Sequence, residues 1–183
     1  MKITDGEKLI ILMLSELYEK LEIDGELDPE FLKTAIFNEQ TWGISWKYPG
    51  IPFAREETPE IVKEILDILD MWSQIEHGYE ELSDSEKLKL KENVGIFGDN
   101  PTFRGFDGNN ESDYLGTALF IINDLERFEA FKGRSLNSHA PSLDIYRRML
   151  PTFSKITDKN GYETLSLSEL TLILSEMKHP DYR

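Results

Sequence analysis

Apolar residues recur at helical spacing along nearly the whole chain, and each such segment follows a helix-start signal. Thr4-Asp5-Gly6-Glu7 has capping-box spacing, in which the Thr hydroxyl takes an orphan amide and Glu7 reaches back. Asp28-Pro29 and Thr58-Pro59 set a cap residue before a proline suited to the first helical position. Ser83 to Glu86 and Ser166 to Glu169 repeat the capping box. The pattern predicts helices near 5–22, 29–40, 59–82, 84–92, 110–132, 142–155 and 167–177. Pro151 is expected to bend or end the sixth, because it lacks an amide and crowds the preceding turn. Strand alternation is missing throughout. The expectation is an all-α fold: a single-domain multihelical bundle over 1–183, with long loops at Trp42–Glu57 and Asn93–Asn109.

Two of these helices differ in pattern. The 59–82 segment places Ile61, Ile65, Ile68, Trp72, Ile75 and Tyr79 on one face and charged residues on the other, as an amphipathic surface helix does. In the 110–132 segment, Tyr114, Leu115, Ala118, Leu119, Phe120, Ile121, Ile122, Leu125, Phe128 and Phe131 point nearly everywhere, which predicts a central buried helix. On it Gly116, Asn123 and Arg127 fall within about 20° either side of one direction at 3.6 residues per turn.

Composition narrows the function classes. The chain carries 35 acids against 20 bases, a net charge of −15 that repels phosphate backbones, so no direct nucleic-acid binding is expected. It has no cysteine, no basic leader before its first apolar run, and no apolar run long enough to span a membrane. These traits are read as those of a cytoplasmic protein that does not engage membranes.

Candidate chemistry gathers in four places. A buried Arg127 requires a partner, since an uncompensated interior charge is very costly; that partner is either an anionic ligand held bidentately or a carboxylate of this acidic chain. Trp42, Trp46 and Tyr48, in a loop bearing Gly43, Pro49 and Gly50, suit a ligand pocket, an interface, or a plug on the side of the bundle. The stretch Asp107 to Asp113 resembles an oxygen-rich cation site, but its position before a buried helix fits capping. The segment Asp158 to Glu169 resembles a calcium loop, yet Glu163 stands where the turn needs glycine and Tyr162 where an oxygen ligand belongs. Histidines at metal-ligand spacing, a nucleophile elbow and a phosphate-cradling glycine loop are all missing, so we assign no catalytic residue, metal or cofactor.

The run Thr102-Phe103-Arg104-Gly105-Phe106-Asp107, then Glu111, Tyr114-Leu115-Gly116, Phe120, Asn123, Arg127-Phe128 and Phe131, resembles the signature of the YfbU family. Asn137, Pro141, Tyr146 and Arg148-Met149-Leu150 continue the likeness, which is strongest from about 102 to 150. The resemblance implies a mostly helical bacterial or archaeal domain without an assigned activity, in some relatives joined to a helix-turn-helix segment. It carries over no catalytic residue.

The leading expectation is a non-catalytic binding domain for a small anionic ligand or a protein partner. Its candidate ligand-binding residues are Arg104, Asp107, Gly116, Asn123, Arg127, Trp42, Trp46 and Tyr48. The alternatives are a carboxylate-based hydrolase, with or without magnesium, and a structural homo-oligomer using exposed aromatics such as Trp46.

Overall fold

The computed structural model describes residues 2–54, 56–161, 163–179 and 181. Eight α-helices appear among them: α1 Asp5–Lys20, α2 Pro29–Phe37, α3 Trp42–Lys47, α4 Glu60–Glu81, α5 Asp84–Val94, α6 Ser112–Leu119, α7 Leu143–Asn160 and α8 Leu167–Ser175. No helix is long and apolar enough to cross a membrane among the described residues. The caps act largely as the sequence predicts. Thr4 and Ser166 form full capping boxes with Glu7 and Glu169, and Asp28 accepts from the amides of Glu30 and Phe31. Thr58 is the exception: Pro59 itself occupies the cap position of α4, with no side-chain hydrogen bond.

The middle of the molecule is α4, not the segment near 110–132. Val62, Ile65, Ile68, Leu69, Met71, Trp72 and Ile75 are all buried on it, and α6, α7 and α8 pack around it. Its polar stripe keeps Lys63 and Asp67 in solvent, so α4 is amphipathic, with a buried arc wider than the sequence pattern predicts. The 110–132 segment is helical only as far as Asp124. Its last turn, Phe120–Asp124, widens into a π-turn closed by the Leu125 amide on the Phe120 carbonyl. Glu126 and Phe128 then take left-handed φ values of 53° and 54°, which no α-helix continues through. A single 3-10 turn, Glu129–Phe131, follows.

Two further expectations are corrected. The predicted Trp42–Glu57 loop begins with the six-residue helix α3, seated on Phe120 because Gly43 has no Cβ; one built there would lie 2.4 Å from the Phe120 ring. Of the two effects expected of Pro151, an end to the helix does not occur: α7 runs through it to Asn160. Pro151 sits on the exposed side, where water can reach the Arg147 carbonyl that loses its helical donor, while Tyr146, Met149 and Phe153 anchor the buried side.

On either side of α6 the backbone is irregular but fastened at many points. Phe106 pairs with Asn137 in an isolated parallel bridge, its amide donating to the Leu136 carbonyl at 2.9 Å. Gly105, at φ +80°, makes this approach possible: a Cβ there would sit 1.7 Å from the Leu136 carbonyl oxygen. The Gly105 carbonyl accepts from the Ser142 hydroxyl and the Tyr146 hydroxyl, both at 2.9 Å. Around this crossing Trp72, Phe103, Phe106, Phe131 and Tyr146 form one aromatic cluster, with ring centroids 5.2 to 6.2 Å apart.

Candidate functional site

Glu111 ties the crossing together. It is only 9% exposed, and its carboxylate accepts four hydrogen bonds. Oε1 takes the amides of Ser142 (2.9 Å) and Leu143 (2.8 Å), and Oε2 takes the Asp107 amide (2.9 Å) and the Ser142 hydroxyl (3.0 Å). Burial pushes its pKa up, but those donors together hold it below the ordinary value. A negative charge here also meets the positive end of α7, so Glu111 fixes where that helix begins. Asp107 serves the same knot: its carboxylate accepts from the Asn110 side chain and the Asn109 amide, which lowers its pKa. Asp107 thus braces the turn before α6 rather than capping the helix itself, whose N-cap residue is Glu111.

The start of α7 forms one wall of a cleft of about 280 Å³. Ser142, Ile145 and Tyr146 line it from α7, Trp72 from α4, Phe97 and Pro101 from the segment after α5, and Arg104 from the strand-like run before the crossing. Glu76 on α4 holds that run in place by accepting the Phe103 amide at 2.7 Å, and Arg134 steadies Glu76 at 2.9 Å. Two side chains that line this cleft, Trp72 and Arg104, carry donors without a partner among the described residues. Trp72 is 2% exposed, and its Nε1 is the one buried side-chain nitrogen or oxygen with no hydrogen-bond partner among the described residues. Arg104 is exposed and makes no ion pair among them. Asp99, the acid lining the cleft, is already taken by Lys91 at 2.8 Å. The cleft thus holds a cation, Arg104, and borders the unpartnered Trp72 indole, in a lining that also includes Asn100, Thr102 and Ser138.

A second cleft, of about 550 Å³, contains Trp42 and Gly116 together with Gln40, Thr117 and Phe120. Glu39, Asp113 and Asp124 also line it and no cation does, so it repels the anion that the sequence led us to expect. The Trp42 indole is satisfied by Gln40 at 2.5 Å, and Gln40 in turn donates to Thr117 at 3.0 Å. Trp42 also packs edge-on against Trp46 at 5.0 Å and Phe120 at 5.6 Å. Tyr48 accepts from the Asp28 amide at 2.8 Å and sits edge-on to Phe31, which joins α3 to α2.

The stripe of Gly116, Asn123 and Arg127 is overturned as a buried anchor. All three are exposed, and Arg127 lies over the Trp46 ring, 4.8 Å from its centroid. For Arg127 the reason is the helix break at Asp124: the direction extrapolated from 3.6 residues per turn no longer applies at residue 127. Of the eight candidate residues, the structure gathers Trp42 with Gly116 in the acidic cleft, stacks Trp46 on Arg127, gives Tyr48 and Asp107 structural bonds, leaves Asn123 exposed outside both clefts, and places Arg104 alone in the first cleft. The sequence reading passed over Trp72 as a site residue, treating it as one more apolar position. The available signal was its indole N–H, which a fully apolar helix face cannot satisfy.

Nothing favours the hydrolase reading. Asp67 and Asp70 on α4 both have pKa values raised from their ordinary value, by desolvation first, but neither lines either cleft. No three His, Asp or Glu residues gather as a metal site among the described residues. In the calcium-like segment, Asp158 and Asn160 belong to α7, Glu169 closes the Ser166 capping box, and Tyr162 lies outside the described residues.

Comparison with known proteins agrees with the resemblance noted in the sequence. The family model for the YfbU domain matches residues 1–176. A UPF0304 protein of Methanocaldococcus jannaschii is 31% identical over 101 residues, which is 52% of this chain and 56% of that relative. The match thus spans about half the length of this curated relative.

Proposed function

We propose that this chain, which belongs to the YfbU family, is a binding domain that holds a small organic anion in the cleft between Arg104 and Trp72. The observation that carries the reading is the orphaned Trp72 indole N–H. A buried donor without an acceptor costs about 1–3 kcal/mol, so an incoming acceptor at this position recovers more than an ordinary surface hydrogen bond would give. Arg104 supplies the charge, in a chain whose overall field otherwise repels anions. Phe97, Pro101 and Ile145 offer apolar contact for the body of the ligand. A carboxylate or phosphate ester with a compact apolar or aromatic body fits this set; a bare inorganic ion leaves the apolar walls unused.

Thermal-shift titration with benzoate and with phenyl phosphate tests the reading. A binder at a hundredfold excess over its Kd stabilises by about 2.7 kcal/mol. At roughly 2–4 °C per kcal/mol for a chain of this size, that is a rise of about 5–10 °C. Arg104→Gln removes no side-chain bond found among the described residues, so it is expected to keep the wild-type melting temperature and lose the ligand-induced rise. Equal rises in both proteins would place the anion elsewhere and refute the assignment.

A further inference from the structure

The first helix is barely buried. Its inner face meets α2, yet Ser15 is the one fully buried residue on it, while Leu9, Ile10, Met13, Leu14 and Leu17, with Leu21 just past its end, are each 50% to 66% exposed. At 3.6 residues per turn these six fall within an arc of about 140°, forming one continuous apolar stripe. Leu27, which lines a groove with Ile11 and Leu14, is also exposed.

We propose that this stripe is the interface of a homodimer in which α1 packs antiparallel against α1 of a second copy. Area supports a large missing contact. The chain exposes 11307 Å², whereas a compact monomer of 21.2 kDa exposes about 9,100 Å². The excess, about 2,200 Å², exceeds the roughly 800 Å² per partner that a stable interface of standard size removes from water. Charge supports a second copy as the occupant. Asp5 and Lys20 sit near opposite ends of the helix, both within about 40° of the stripe edge at Leu9. A two-fold axis between antiparallel helices brings like edges together, so each copy's Asp5 meets the other's Lys20. Lys20 makes no ion pair within its own chain among the described residues. A groove of about 220 Å³ between α1 and α2, lined by Ile11, Leu14, Tyr18, Leu27 and Leu32, is open to a side chain of the other copy.

Light scattering coupled to size exclusion, at physiological salt, tests this directly. Wild type is expected at twice the 21.2 kDa chain mass, and Ile10→Asp with Leu17→Asp at the single-chain mass with an unchanged circular-dichroism spectrum, since neither side chain supports the core. Asp5→Lys alone is expected to shift the population toward monomer, and Asp5→Lys with Lys20→Asp to restore the dimer. A wild type at single-chain mass, or a double-aspartate variant that stays dimeric, overturns the proposal. So does a failed charge-swap rescue, which removes the antiparallel arrangement. Co-sedimentation of monomeric wild type with phosphatidylcholine–phosphatidylglycerol vesicles would assign the face to a lipid surface and equally overturn it.

Discussion

Replacing Glu111 by glutamine keeps its shape and removes one acceptor oxygen, so the consequence can be worked out bond by bond. Each carboxylate oxygen receives two donors, and whichever oxygen becomes an amide group leaves two of them facing another donor. Hydrogen bonds to a charged acceptor contribute about 1.5–3 kcal/mol each. Relief from burying the charge offsets part of the loss, which leaves a net destabilisation of about 2–4 kcal/mol. For a chain of this length the melting temperature then falls by roughly 5–15 °C at pH 7. The sign with pH follows from the lowered pKa of Glu111. A carboxyl that ionises more readily when folded stabilises fully above its ordinary value of 4.5, and that contribution disappears as pH falls through the lower folded value. Calorimetric melting of wild type and Glu111→Gln from pH 7 down to pH 3 should show the gap closing. A gap under 1 °C at neutral pH, or one of constant size down to pH 3, refutes the assignment of Glu111 as the clamp on α7.

Other substitutions probe neighbouring parts of the account. Gly105→Ala drives a methyl into the Leu136 carbonyl and breaks the Phe106–Asn137 bridge; a loss above about 4 kcal/mol by urea unfolding is expected. Pro151→Ala restores the amide missing from the interior of α7 and should raise stability by about 1–3 kcal/mol in the same assay, whereas a loss would mean the proline shapes the helix. Arg127→Gln forfeits a cation–π contact of about 0.5–1 kcal/mol at an exposed site and should leave binding of phenyl phosphate unchanged in thermal-shift titrations.

Much of the helical layout could be read from one sequence because helix starts leave local marks. Thr4, Asp28 and Ser166 perform the capping that their spacing announces. The failures arise where tertiary contacts decide. Glu126 and Phe128 carry no helix-breaking signature, so the left-handed turns that end the 112–124 helix and throw Arg127 outward had no local warning. Whether α4 or the following apolar segment lies in the middle depends on which faces other helices cover, and Val62, Leu69 and Met71 widen the buried arc of α4 beyond what its charges suggest. In the candidate site, Arg104 was legible as part of a marked motif. Trp72 was not, because its apolar ring fits the helix period and only the surroundings of its nitrogen reveal a missing partner.

The most direct measurement is the proton–nitrogen spectrum of the three tryptophan indoles, assigned by Trp→Phe variants, during titration with phenyl phosphate. The account predicts that the Trp72 signal moves downfield as its N–H gains an acceptor, while Trp42, already bonded to Gln40, and Trp46, stacked under Arg127, stay in place. An unmoved Trp72 signal at saturating ligand, or movement confined to Trp42 and Trp46, contradicts a binding site between Arg104 and Trp72.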